Sequence, residues 1–78
     1  MSRRSAWDAN GAAQRHAEGV AKRLGYTIRL YPHDQWGGLC VVSGNGVSGH
    51  ECGAEPTERA AYDNAVRFME QHASEAAR

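Results

Sequence analysis

The chain lacks an excess of charge of either sign. Its 78 residues include nine Lys and Arg and nine Asp and Glu, so the formal net charge is zero. A dedicated nucleic-acid binder usually has a clear basic excess, and a protein that imitates nucleic acid would need an acidic one. The overall charge therefore favours neither class.

A long apolar run is also lacking. No stretch of the sequence reaches the roughly 18 apolar residues that a membrane-spanning helix requires. The N-terminus has no apolar core of the kind that signal peptides carry. We therefore expect a cytoplasmic protein that does not act in a membrane.

The chain is too short to combine a core with a deep pocket and a lid. A domain of this size buries only roughly 60% of its unfolded surface, and pairing with a second copy would add to its stability. This length weighs against most enzymes. We therefore expect one small domain, with a homodimer as one way to stabilise it.

Charge is distributed unevenly along the sequence. Residues 1–30 contain six basic and two acidic side chains, a net charge of +4, whereas residues 31–78 contain three basic and seven acidic ones, a net charge of −4. Such a molecule can dock a partner or another copy of itself through complementary charges. The alternative is two solvated helix faces of opposite sign.

Apolar residues at helical spacing predict a first helix. Asn10 can cap its N-terminus by accepting a backbone hydrogen bond, and Gly25 suits the left-handed conformation that ends a helix. We expect residues 1–9 to be a lead-in. The apolar stripe between these ends consists of Ala13, Ala17, Val20, Ala21 and Leu24.

Three short segments predict an antiparallel sheet. Residues 26–31 alternate between apolar and polar side chains as a half-buried strand does, and Pro32 ends the segment. Residues 39–43 are short and rich in β-branched side chains, which favours a second strand. The sequence Gly44-Asn45-Gly46 is a tight-turn signal, and we expect a third strand over residues 47–52 or 47–54.

A second amphipathic helix closes the chain. Thr57 is its predicted cap, and the helix is expected to run to about Gln71, with a frayed tail over residues 73–78. Two helix stripes and a one-sided sheet fit together readily when both helices pack on the same face. We therefore predict a two-layer α+β domain over residues 10–72, in the order helix, three strands, helix.

A zinc site would have to use scattered ligands. The candidates are His33, Cys40, His50 and Cys52, but zinc sites usually contain chelating pairs such as Cys-x2-Cys, and none is present. The simpler interpretation is that both cysteines are small apolar residues of the core. We expect no metal ion and no cofactor.

Cys40 and His50 could also form a nucleophile–base dyad that Asp34 orients, although their spacing does not require it. A disulfide would need Cys40 to face Cys52 across the hairpin. A two-residue turn at Asn45-Gly46 instead pairs position 40 with 51 and position 39 with 52. We therefore expect free thiols and no catalytic site.

The candidate partner-binding residues lie on the outer side of the sheet and in the loop after the first strand. Alternation places Arg29 and Tyr31 away from the apolar side of their strand. Trp36 lies among polar and glycine residues, where it either anchors a partner or closes the end of the core. Three basic residues of the first helix complete the set: Arg15, Lys22 and Arg23.

The element order over residues 10–72 resembles the double-stranded RNA-binding domain. That family grips phosphates with lysines at the start of its last helix, whereas the matching stretch here carries Glu55, Glu58 and Arg59. Residues 53–65, through Thr57-Glu58-Arg59-Ala60 and Asn64-Ala65, are similar to the strand-to-helix joint of HicB-type antitoxins. Both resemblances imply a nucleic-acid-binding domain, which is the alternative function.

In size and general character, the chain also resembles anti-CRISPR proteins, which are small accessory proteins of phages and mobile elements. That resemblance implies a stoichiometric inhibitor that sterically blocks a CRISPR–Cas nucleoprotein complex in the host cytoplasm. Our hypothesis is therefore a non-catalytic protein-binding module, with a phage-encoded anti-CRISPR inhibitor as its specific form.

Overall fold

The computed structural model describes residues 2–33, 35 and 37–77, with side chains from residue 11 onward. It confirms the predicted α+β fold of helix, three antiparallel strands and helix. Neither described helix has an apolar stretch sufficient to span a bilayer. The elements are α1 (Ser2–Leu24), β1 (Thr27–His33), β2 (Gly37–Gly44), β3 (Val47–Glu55) and α2 (Glu58–Ala76).

Helix α1 begins at Ser2, so the prediction that Asn10 caps it is wrong. Residues 2–9 contain no glycine or proline, and their alanines and arginines favour continuation of the helix. The predicted end is confirmed. Gly25 has a φ of 88°, and its N–H and that of Tyr26 both donate to the carbonyl of Ala21, at 2.9 and 2.7 Å.

The sheet has the order β1-β2-β3, with both neighbouring pairs antiparallel. Strand β1 does not end before Pro32 as predicted, because Pro32 pairs with Gly38 and His33 with Gly37. Proline is tolerated in an edge strand, since such a strand has a neighbour on one side only. The longer β1 also explains why β2 begins at Gly37, two residues earlier than predicted.

The hairpin between β2 and β3 turns at the predicted residues. Asn45 and Gly46 have φ values of 51° and 87°, the positive angles that a tight hairpin turn requires. The side-chain amide of Asn45 also donates a hydrogen bond from Nδ2 to the backbone carbonyl of Leu24, at 2.7 Å. The turn therefore helps to satisfy the C-terminal end of α1.

The register beyond that turn differs from the prediction. Glu51 pairs with Val41 and Ala54 with Leu39, so the predicted pairs 40–51 and 39–52 are wrong. The register shifts twice, as it does when one strand carries an extra residue at a β-bulge. Two glycines with positive φ, 73° and 98°, lie in β3 at these shifts: Gly49 and Gly53.

Both helices pack on one face of the sheet and form a single core with it. Cys40 and Val42 of β2 point into this core and are fully buried. Ile28 and Leu30 of β1 pack against its side. The helices contribute mostly small side chains to the core, which lets them approach the sheet closely: Ala17, Val20, Ala21, Ala61, Tyr62, Ala65, Val66 and Met69.

Helix α2 has the predicted cap but extends further than predicted. The hydroxyl oxygen of Thr57 accepts a hydrogen bond from the N–H of Ala60 at 3.1 Å. The helix continues to Ala76 instead of ending near Gln71. Its last residues are rich in alanine and glutamate, which are good helix formers, and Ala73 packs against the core.

Candidate protein-binding face

The strand alternation gives β1 one covered and one uncovered side. Ile28 and Leu30 pack against the core, whereas Arg29 and Tyr31 are exposed on the opposite side. Tyr31 is 49% exposed. The structure therefore brings together two of the predicted partner-binding residues on the side of the sheet that faces away from both helices.

The strand register arranges this side into two rows. In each row one side chain comes from each strand, because directly paired residues point to the same side of a sheet. We call these two rows the outer face. The first row is Arg29–Val41–Glu51 and the second is Tyr31–Leu39–Ala54.

The centre of the outer face is apolar. Leu39 and Val41 project from β2 on this side and are only half-buried, while Cys40 and Val42 alternate with them on the covered side. A strand that is covered on one side requires apolar residues on that side only, and a continuous apolar run is typical of strands buried on both sides. Strand β2 thus has the composition of a strand with two covered faces.

The edges of the first row carry opposite charges. Arg29 on β1 and Glu51 on β3 are both exposed, and the whole of β2 lies between them. Neighbouring strands are about 4.8 Å apart, so the Cα atoms of these two residues are roughly 9 to 10 Å from each other. Their charges are therefore presented to a partner on either side of the apolar centre.

The remaining predicted binding residues do not join this face. Trp36 lies outside the described residues. Arg15, Lys22 and Arg23 are exposed on α1, and α1 packs on the covered side of the sheet. They therefore lie on the opposite side of the domain from Arg29, and the four basic residues do not form one surface.

The two cysteines belong to the covered side. Both are free thiols, with Cys40 fully buried and Cys52 half-buried. The pKa of Cys40 is raised from 9.0 to about 12, chiefly by burial and to a smaller extent by charge repulsion from Cys52 and then Glu58. Burial also raises the pKa of Cys52. Because the thiolate is the nucleophilic form, the Cys40 thiol is a poor nucleophile at neutral pH.

His50 engages an aromatic ring of α2. Its imidazole stacks on Phe68 with the ring centroids 4.0 Å apart and the planes 11° apart. Phe68 in turn stacks on His72 at 5.6 Å, and the hydroxyl of Tyr26 is hydrogen-bonded to Nδ1 of His72 at 2.6 Å. These rings connect the second half of α2 to β3 and to Tyr26, the residue that precedes β1.

The candidate zinc ligands are not assembled into a site. Within residues 2–33, 35 and 37–77, no three His, Cys, Asp or Glu side chains are grouped so that they could hold a metal ion. The side chain of Cys52 is directed to the carbonyl of its neighbour His50, with Sγ 3.9 Å from that oxygen. The stacked ring of His50 and the buried thiol of Cys40 serve packing in this arrangement.

Sequence reasoning missed most of the outer face. Leu39 and Val41 could have been found, because the alternation that buries Cys40 must direct them to the other side. Glu51 and Ala54 could not, because their places opposite β2 depend on the two bulges of β3.

A scan against protein-family models, a search of curated proteins and a search of solved structures find no match to this chain.

Proposed function

We propose that this chain is a non-catalytic protein-binding module and that the outer face is its docking surface. The observation that carries the proposal is the apolar side of β2 that no helix covers. Leu39 and Val41 point away from the core, and Tyr31 beside them is half-exposed. Burial of such apolar area against a partner is favourable by about 25 cal/mol per Å².

The distribution of residues on the outer face supports docking. Protein interfaces combine an apolar centre with a polar rim, and here Leu39 and Val41 are flanked by Arg29, Glu51 and Tyr31. Tyrosine and arginine are enriched among the residues that dominate binding energy. Tyr31 is therefore the proposed anchor, and Arg29 the proposed charged contact.

The narrower form of the proposal follows from the resemblance to anti-CRISPR proteins. The partner is then a CRISPR–Cas nucleoprotein complex in the host cytoplasm, and inhibition is steric and stoichiometric. A rigid two-layer domain suits this role, because it can cover a binding site without supplying any chemistry of its own.

The experiment measures binding and target cleavage with a panel of purified Cas nucleoprotein complexes of different subtypes. We expect the wild-type protein to inhibit one of them near a one-to-one ratio. Tyr31→Ala and Arg29→Ala should weaken that binding at least about ten-fold, the effect of losing a contact worth about 1.4 kcal/mol. Glu70→Ala, an exposed change on α2, is the matched control and should bind normally.

Two results would count against the proposal. Equal binding by the wild type and both outer-face variants would exclude the outer face as the docking surface. If the wild-type protein inhibits none of the complexes in the panel, the anti-CRISPR form of the proposal is excluded. Melting curves of each variant, followed by circular dichroism, establish that a loss of binding is not a loss of fold.

The alternative function is tested by titration with duplex RNA and DNA at two salt concentrations. Binding that uses phosphate contacts weakens steeply as salt rises. Because Arg29 is on the other side of the sheet from Lys22 and Arg23, we expect no such tight, salt-dependent binding. Its appearance, together with its loss in Lys22→Ala and Arg23→Ala, would replace the protein-binding proposal.

A further inference from the structure

We propose that the partner the outer face fits is a second copy of this chain, packed face to face about a two-fold axis parallel to β2. This inference rests on the proposed function, because it names the occupant of the same surface. A two-fold dimer uses one self-complementary patch on both subunits. The two rows of the outer face have that property.

The axis determines which strands meet. Rotation about a line parallel to β2 in the plane of contact places β2 over β2 of the other copy, and β1 over β3. Sheets packed in this aligned manner keep their strand directions within about 30° of each other and are about 10 Å apart. Side chains of the same row therefore remain opposite one another.

The charges of the first row match in this orientation. Arg29 of each copy lies opposite Glu51 of the other, so symmetry generates two ion pairs across the interface. A two-fold axis perpendicular to the strands places Arg29 over Arg29 and Glu51 over Glu51 when it passes through the first row, and like charges placed opposite each other oppose association. When it passes between the rows, it places Arg29 over Tyr31 and Glu51 over Ala54. Only the axis parallel to β2 pairs Arg29 with Glu51, so the charge pattern favours that axis.

The sizes of the side chains match as well. In the second row, the half-exposed Tyr31 of one copy lies opposite Ala54 of the other, which pairs a large side chain with a small one. Along the axis, Leu39 of one copy lies opposite Leu39 of the other, and Val41 lies opposite Val41. Alternation of large and small residues across facing layers is how sheets fill the space between them.

The area of the outer face determines how tightly the two copies are expected to dimerise. Three strands about 4.8 Å apart and five residues at about 3.3 Å each give a face of a few hundred Å². A standard interface buries about 800 Å² per partner, and smaller ones are weak and transient. We therefore expect a reversible dimer, which a foreign protein that binds the outer face would dissociate.

The test is sedimentation velocity of the full chain over a concentration series up to about 1 mM, a range that covers weak association. The wild type should show a reversible monomer–dimer equilibrium. Arg29→Glu and Glu51→Arg each place like charges opposite one another, and each should weaken dimerisation at least ten-fold. The double variant Arg29→Glu/Glu51→Arg restores both ion pairs and should associate like the wild type.

Matched control variants distinguish the loss of a contact on the outer face from the effect of a changed net charge. Arg15→Glu and Glu70→Arg change the net charge by the same amounts as the two single variants, at exposed helix positions away from the outer face. Both should dimerise like the wild type. The double variant regains the wild-type net charge together with the ion pairs, so the controls are decisive: wild-type dimerisation in both excludes net charge as the cause of weakening in the single reversals.

A monomeric wild type throughout the series would overturn the dimer, as would a dimer that neither single reversal weakens. A second measurement uses the wild type alone, so it tests the proposal even if the variants do not fold. Amide chemical shifts of the wild type should change on dilution at Leu39, Val41 and their neighbours, and shift changes confined to the helices would contradict the proposal. If the wild type is monomeric but Tyr31→Ala still abolishes binding of a Cas complex, only the dimer is excluded and the proposed function remains.

Discussion

The two faces of the sheet are made by the same three strands but differ in what surrounds their apolar centres. On the covered face, Cys40 and Val42 are fully buried beside further apolar side chains. On the outer face, Leu39 and Val41 are half-buried, and Val41 lies between the opposite charges of the first row. The difference shows that an apolar strand does not by itself reveal a core. The elements packed against each side distinguish the core from the half-buried outer face.

The largest expected contrast between the faces is in packing. Met69 is fully buried against the covered face, and Met69→Ala should reduce the free energy of unfolding by about 3 kcal/mol, because it leaves a cavity. Leu39→Ala on the outer face should cost about 1 kcal/mol or less, since its side chain is only half-buried. Urea unfolding of both variants measures the difference. Equal losses would mean that the outer face is as tightly packed as the core.

A second contrast keeps shape constant and changes polarity. Val42→Thr buries a hydroxyl in the covered face and should destabilise the fold by about 2 kcal/mol. Val41→Thr places the same hydroxyl on the outer face, where water reaches it, and should change stability by less than about 0.5 kcal/mol. The second variant should nevertheless weaken self-association. A large loss of stability in Val41→Thr would contradict the assignment of the two faces.

Because Cys40 is buried in the covered face, we expect the free energy of unfolding to depend on pH in the alkaline range. The pKa of Cys40 is raised from 9.0 to about 12, chiefly by burial, so the folded protein holds the thiol proton more tightly than the unfolded chain. Stability is then unaffected below about pH 9 and falls as pH rises from there towards 12, by at most about 1.4 kcal/mol per pH unit for this group. The pKa of Tyr62 is likewise raised to about 12, mainly by burial, and adds to the fall above pH 10.

Urea unfolding between pH 7 and 10.5 measures that dependence. Cys40→Ala is the control, because it removes the thiol. It should be less stable at pH 7 but show a shallower loss above pH 9. Identical slopes for the variant and the wild type would mean that Cys40 does not contribute to the pH dependence.

The smallest contrast compares two tyrosines. Tyr26→Phe removes the hydroxyl that is hydrogen-bonded to His72 and should cost about 1 kcal/mol. Tyr31→Phe on the outer face removes an exposed hydroxyl and should leave stability unchanged within error. Thermal unfolding of the pair measures both effects. A loss in Tyr31→Phe that equals the loss in Tyr26→Phe would indicate that the outer tyrosine is held by the fold.

Local signals predicted most of the element order. Gly25, Asn45-Gly46 and Thr57 are where the sequence places them, because each acts through its own backbone conformation or a hydrogen bond to a nearby residue. The start of α1 was predicted wrongly because residues 2–9 also favour a helix, and two other boundaries depend on distant contacts. The strand continues through Pro32 since β2 pairs with it, and α2 continues past Gln71 with Ala73 packed against the core.

The candidate site was predictable only in part. Arg29 and Tyr31 follow from the alternation along a single strand, which is a local property. Their neighbours across the sheet depend on register, and two bulges in β3 shift it away from what the hairpin turn implies. The two-residue turn alone would place residue 50 opposite Val41, whereas the shifted register places Glu51 there.

The sequence alone predicted an α+β chain with helical stripes, a tight hairpin and a short strand rich in β-branched side chains, because these are properties of consecutive residues. Tertiary structure decided which side of that strand became core. Both helices pack on the same face of the sheet and share one core with it, and the bulges of β3 place Glu51 across the apolar centre of the other face from Arg29.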